Sequence, residues 1–203
     1  GSLLVGHSTT GTLDASQYNT GVGIYALDAL TTGDNNTAVG NYSASNITTG
    51  TENIAIGRSA LFTNISGTRN TAIGGSALYL ATGSENTALG TYALDEVTGN
   101  VNIGLGFSAG QNITSGSGNV MIGEVDADSA TGDRQLKIAG HDGSTRTTWI
   151  DGDSSGNVTM PAELAAVSLD ISGAIDIDGT ANLDTVDIDG AVQIDAAFTS
   201  GVD

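Results

Sequence analysis

Few residues in this sequence could carry out covalent chemistry. The chain has two histidines, His7 and His141, a single lysine, Lys137, and no cysteine. Thiol nucleophiles, disulfides and thiolate metal sites are therefore excluded. The histidines fall in differently patterned parts of the chain, so no nucleophile–base pair is apparent. Paired carboxylates suited to acid–base work exist at Asp176, Asp178, Asp187 and Asp189. Their regular spacing with no pocket-forming partner reads as a solvated face. Neither the EF-hand loop nor the glycine–aspartate nonapeptide is present. We therefore assign no catalytic or metal-ligating residue, expect no enzymatic activity and require no cofactor. The metal reading that remains is weak Ca²⁺ binding at the acidic segment, where stacked carboxylates would supply oxygen ligands.

The elements that position these residues follow from composition. Of 203 residues, 30 are glycine, one is proline, 4% are aromatic and 14% are charged. That is too few bulky side chains for a thick core. A 38% hydrophobic content is nonetheless too high for disorder. The balance points to a thin, elongated fold. Formal charge is −18, which argues against nucleic acid or an anionic membrane as partner. No apolar run approaches the ~18 residues of a membrane helix, so membrane insertion is not expected. No signal peptide is seen, and Gly1-Ser2 has the character of a processing scar. Acidic residues crowd the second half: sixteen follow Gly123, against seven before it, and no base follows Gly152.

An internal repeat organises the first part. A pentapeptide beginning with Asn and ending with Gly recurs from Asn19, Asn36, Asn53, Asn70, Asn86, Asn100 and Asn119. A degenerate copy occupies residues 2–6. The closing glycines at 6, 23, 40, 57, 74, 90, 104 and 123 are spaced by 17, 17, 17, 17, 16, 14 and 19 residues. Each pentapeptide is followed by an Ala-Leu-type half, as at Tyr25-Ala26-Leu27 or Ser76-Ala77-Leu78, and then a Thr/Ser/Gly turn. Such a unit is too short for two helices. It suits two short strands and two turns, one coil of a β-solenoid. Eight coils about 4.8 Å apart would form a rod roughly 35–40 Å long.

Alternation within the pentapeptide predicts which side chains share a face. The third and fifth positions are almost always Ala or Gly, fitting a crowded side. The fourth position, Val22, Val39, Ile56, Ile73, Leu89, Ile103 and Ile122, forms an apolar ridge, and Leu27, Leu61, Leu78 and Leu94 form another. A coil this small cannot enclose both ridges, so one must pack on another copy. A parallel homotrimer is the simplest closed solution. The asparagine column is expected to be a corner ladder rather than a ligand site. The Asn-x-Ser/Thr triplets at Asn46, Asn64, Asn112 and Asn157 arise from such turns and are not taken as glycosylation sites.

Two further patterns follow. Residues 124–161 read as a β-meander ending at Pro161, which cannot continue a central strand. Residues 162–203 alternate apolar and acidic side chains, with Leu169, Ile171, Ile175, Ile177, Val186, Ile188, Val192 and Ile194 on one face. A lone strand of that kind is unstable, and three intertwined chains would bury its apolar side as a slender shaft. The fold class expected is thus all-β: repeat β-roll over 2–123, connector over 124–161 and acidic shaft over 162–203.

The run Asn-Thr-Ala-Ile-Gly…Ser-Ala-Leu…Thr-Gly resembles the head repeats of trimeric autotransporter adhesins. It is still more similar to repeats in bacteriophage tail fibres. The segment Trp149-Ile150-Asp151 with its Gly-Asp-Ser-Ser-Gly-Asn-Val continuation resembles a connecting module of such fibres. The resemblance covers about residues 2–123 and implies a left-handed parallel β-roll in a homotrimer. It implies a structural, host-attachment protein of the virion, extracellular, that extends or presents a receptor-binding surface. The implied partners are a host-surface receptor, a glycan among the candidates, and other tail or fibre proteins. Many fibres end in a self-cleaving chaperone with a Ser/Lys pair. Lys137 lacks that context, and a binding tip is expected outside residues 1–203. Tyr25, Tyr42, Tyr79, Tyr92 and Trp149 form a minority sugar-binding reading. Other readings stay open: a bacterial trimeric surface adhesin, a self-assembling extracellular filament, and an ice-binding solenoid using the column Thr20, Thr37, Thr71 and Thr87.

Overall fold

The computed structural model of the chain describes residues 2–5 and 16–161. Every regular element among them is a β-strand. Eight three-residue strands come first: β1 (Leu3–Val5), β2 (Thr20–Val22), β3 (Thr37–Val39), β4 (Ile54–Ile56), β5 (Thr71–Ile73), β6 (Thr87–Leu89), β7 (Ile103–Leu105) and β8 (Val120–Ile122). Each pairs in parallel with the next, in register and one repeat apart, as in Thr37↔Ile54 and Val39↔Ile56. The result is a parallel β-solenoid of about seven turns. Parallel stacking continues past residue 123, because β8 also pairs in parallel with β9 (Leu136–His141). β9 then pairs antiparallel with β10 (Arg146–Gly152), and β10 with β11 (Val158–Thr159).

Each coil holds one strand, not two. The Ala-Leu half is a curled path in which two residues adopt positive φ, for example Tyr42 at 57° and Ala44 at 48°. Curling does not leave its backbone unpaired. Tyr42 N–H donates back to Ile24 O at 2.9 Å, and Ala44 N–H donates forward to Ala60 O at 2.8 Å. Alternate amides thus bond the coils on either side, with Ser43 N–H between them donating to Gly40 O, so a path without strand geometry still satisfies its donors.

The interior is narrow and is filled by four columns, one of them the alanines Ala26, Ala60, Ala77, Ala93 and Ala109. Ala38, Ala55, Ala72 and Ala88 point in from the strands. Leu27, Leu61, Leu78 and Leu94 point in from the curled half, and Leu30, Ile47, Val97 and Ile113 from the following turn. Of the two ridges expected from the sequence, the leucines lie inside. Large and small residues offset one another along the columns. In the seventh coil Gly110 stands where leucine usually does, and a Cβ there would meet Met121 Cγ at 3.1 Å. Met121, the bulkiest strand residue turned inward, fills the space that Gly110 leaves. This is volume compensation of the kind close-packed interiors require.

The glycine that ends each strand is fixed by the neighbouring coil. Gly57 has φ +133°, and a Cβ on it would lie 2.5 Å from Gly74 O. No other residue meets both conditions, which explains why this position does not vary among the copies.

Candidate functional site

The outward face of the strands is the most distinctive surface of the described residues. Its fourth-position column runs through Val5, Val22, Val39, Ile56, Ile73, Leu89, Leu105 and Ile122 with no polar interruption. Ile56 is 39% exposed and Leu89 50%. Beside it runs the second-position column: Leu3, Thr20, Thr37, Ile54, Thr71, Thr87, Ile103 and Val120. Strand pairing fixes both columns, because each in-register step places like positions about 4.8 Å apart. Contiguous apolar surface of this kind is a candidate interaction surface.

One residue of the expected ridge is corrected. Ile103 belongs to the second-position column, and Leu105 takes the fourth position, aligned with Leu89 and Ile122. The cause is a register slip in the seventh coil. The segment Asn100-Val101-Asn102-Ile103-Gly104-Leu105-Gly106 contains two overlapping Asn…Gly pentapeptides, and the fold uses the later one. Asn102, not Asn100, enters the buried ladder. Asn100 instead accepts from Ser84 N–H at the surface. Read this way, the closing glycine is Gly106, and the spacings of 14 and 19 become 16 and 17.

Behind the outward face lies the ladder itself: Asn19, Asn36, Asn53, Asn70, Asn86, Asn102 and Asn119, all essentially inaccessible to solvent. Asn53 shows the pattern. Its Oδ1 accepts from Asn70 N–H at 2.9 Å and from Asn70 Nδ2 at 3.1 Å. Its own Nδ2 donates to Asn36 Oδ1 at 3.0 Å and to Gly67 O at 2.9 Å. A carboxamide supplies one double acceptor and two donors, so every polar atom is used and nothing is left for a ligand. Ser2 Oγ serves Asn19 at one end. Gln135 closes the other, with its Oε1 accepting from Ser129 N–H and its Nε2 donating to Asn119 Oδ1, Ser129 O and Gly132 O.

Aromatic residues form a second surface feature. Tyr25 and Tyr42 stack at 4.6 Å between ring centroids, and Phe62 and Tyr79 stack at 5.3 Å. Tyr42 and Phe62 meet edge-on at 6.0 Å, which joins the two pairs into one run over four coils. Phe62 was not singled out by the sequence pattern. Tyr92 pairs separately with Phe107. The stacked rings turn their faces on one another, the geometry favoured for aromatic packing.

Lys137 and His141, both on β9, carry ion pairs of the antiparallel segment. Lys137 lies between Asp128 and Asp151. Burial pulls its ammonium pKa down, but the two carboxylates outweigh that, and it rests above its ordinary value. His141 Nδ1 faces Glu124 Oε2 at 2.6 Å. Arg69 pairs with Glu85 on the solenoid surface. The sequon residue Asn64 is wholly buried, with its Nδ2 donating to Gly83 O.

Among the described residues no group of three or more His, Cys, Asp or Glu side chains could hold a metal ion. Likewise, no helix among them is long and apolar enough to cross a membrane. His7, the carboxylates Asp176, Asp178, Asp187 and Asp189, and the shaft residues Leu169, Ile171, Ile175, Ile177, Val186, Ile188, Val192 and Ile194 lie outside the described residues, as does the acidic Ca²⁺ reading. Comparison with family models, with curated proteins and with solved structures gives no match.

Proposed function

We propose that the chain is a stiff structural module of a homotrimeric attachment fibre of the bacteriophage tail type. Three copies lie parallel with their fourth-position columns turned toward a shared axis. The observation that supports this reading is the unbroken outward column from Val5 to Ile122. Its residues recur at a constant interval, so a second copy set level with it matches it along its whole length. A closed ring of three lets each chain cover its neighbours' columns with no end left over.

In this reading the molecule works by reach. Stacked coils resist bending and hold a receptor-binding surface away from the particle, and three equivalent contacts add avidity. Its partners are two further copies, other fibre proteins and a host-surface receptor. Its place is the virion, outside the cell. A bacterial trimeric surface adhesin would use the same column in the same way. The ice-binding reading is weakened by the outward Thr20, Thr37, Thr71 and Thr87 column, which Ile54 and Ile103 interrupt.

Light scattering on the purified chain tests the proposal. The expected mass is three times the 20.2 kDa of one chain. The double variant Ile56→Asp, Ile73→Asp should dissociate it, because three carboxylates would crowd each level of the axis. A folded single chain at micromolar concentration would overturn the proposal, and a broad distribution of masses would favour an open filament.

A further inference from the structure

The β9–β10 ribbon contains a cavity that neither the repeat nor the oligomer reading uses. It measures about 330 Å³ and is lined by Gly140, His141, Asp142, Thr145, Thr147 and Trp149. That volume lies at the small end of ligand sites, which run from about 300 to 1,000 Å³. We infer that this cavity is a binding subsite for an uncharged pyranose sugar, with Trp149 as its platform.

The platform is built by a backbone irregularity. Thr148 pairs with Ala139 and Ile150 pairs with Ile138, so Trp149 is an extra residue in β10 without a partner. A bulge of this kind bends the strand and re-aims one side chain. Here it turns the indole across Gly140, where a Cβ would come within 2.6 Å of Trp149 Cζ2. The ring is thus seated on bare backbone, yet the residue remains 54% exposed. A large apolar side chain packed against backbone and left half in water is the kind of surface that the C–H face of a sugar ring covers.

The polar rim suits a polyol. Asp142 accepts from Thr145 N–H, Ser144 N–H and the Ser144 hydroxyl, all on Oδ1, which leaves Oδ2 to receive a ligand hydroxyl. Those bonds, the one from Thr145 N–H first, lower its pKa to about 2, so it is ionised at any ordinary pH. His141 is oriented by Glu124. A carboxylate only accepts, so Nδ1–H is the donor in that bond. Thr145 and Thr147 add hydroxyls at the rim. The set is rich in acceptors and poor in cations, which selects a neutral sugar over a sialylated or sulfated one. The chain's charge of −18 acts in the same direction.

The subsite is complete within one chain. It gives the attachment reading a ligand class, and it is tested separately, because mass and sugar binding are independent measurements. Trp149 is the only tryptophan, so its fluorescence reports the site with no label. The intact chain is titrated with galactose, glucose, mannose and N-acetylglucosamine, with saturation-transfer NMR as a second readout. At least one probe should give a saturable change with an affinity on the order of 1 mM. Asp142→Asn keeps the Oδ1 acceptor that holds the turn and replaces Oδ2 with a donor. It should weaken binding about tenfold, and Thr147→Val about threefold. The inference is overturned if no probe binds by either readout, or if both variants bind like the parent. If no sugar binds but the trimeric mass is found, the attachment reading survives without this subsite.

Discussion

In the coil stack a hydrogen bond usually joins residues about 17 apart. In the β9–β10 ribbon, Asp142 bonds residues two and three positions away. Both regions are thin, and both satisfy their backbone groups without a thick core. In the stack each residue depends on its equivalents one coil before and one coil after, so damage at one level reaches two others. In the ribbon a turn is stabilised by its own few residues, and damage stays local. Repeat architecture thus concentrates vulnerability at the positions that stack, whereas a ribbon tolerates change and leaves room for a binding surface.

Substitutions graded by expected effect test that contrast. Gly57→Ala should be the most damaging, because it forces both an unfavourable φ and a collision with Gly74 O. A loss of more than about 4 kcal/mol, or failure to fold, is expected in denaturant titrations. Leu78→Ala empties a buried site between coils and should cost about 2–5 kcal/mol. Asn70→Ala strands Asn86 N–H and removes one of the two side-chain donors to Gly83 O, the other being Asn64 Nδ2, and should cost on the order of 2 kcal/mol. Hydrogen exchange should then show lost protection in the coils on both sides. If the loss were confined to one coil, the contrast would fail.

The ribbon and the outer surface should respond weakly. The Asp142 carboxyl has its pKa lowered from 3.8 to about 2 by its turn bonds. A lowered carboxyl contributes its stability fully above the unfolded value and loses it as pH falls. Ser144 and Thr145 amides should therefore lose protection only as pH drops from about 3.8 toward 2, with the solenoid amides unaffected in that window. Arg69→Ala removes an exposed ion pair with Glu85 and should change stability by less than about 1 kcal/mol.

Much of the solenoid is legible in the sequence because stacking enforces identity. The invariant closing glycine and the buried asparagine are each fixed by a contact with their own equivalents, and such columns stand out as repeats. The seventh coil was misread because Asn100 and Asn102 both begin an Asn-x-x-x-Gly pentapeptide. Spacing was the available signal, since only Gly106 keeps the interval near 17. Burial gives the physical reason: the third pentapeptide position, the middle of the strand, points inward, where Gly104 fits and Asn102 would not. The curled half was expected to be a strand because its composition suits one. Nothing in Tyr42 or Ala44 announces positive φ, which non-glycine residues adopt only when neighbouring coils hold them there. Gln135 likewise carries no repeat signature, although it completes the ladder.

Gln135 also governs how long such a rod is. The extra methylene lets its amide fold back onto Ser129 and Gly132, so the row of carboxamides ends with no donor or acceptor presented to a further layer. The ladder is therefore sealed at Gln135, and every coil stacked before that seal adds one level to the column. Duplicating or deleting one unit in the gene would change the span by about 4.8 Å while leaving that seal intact. Such a molecule adjusts its length by counting, with no new chemistry to evolve.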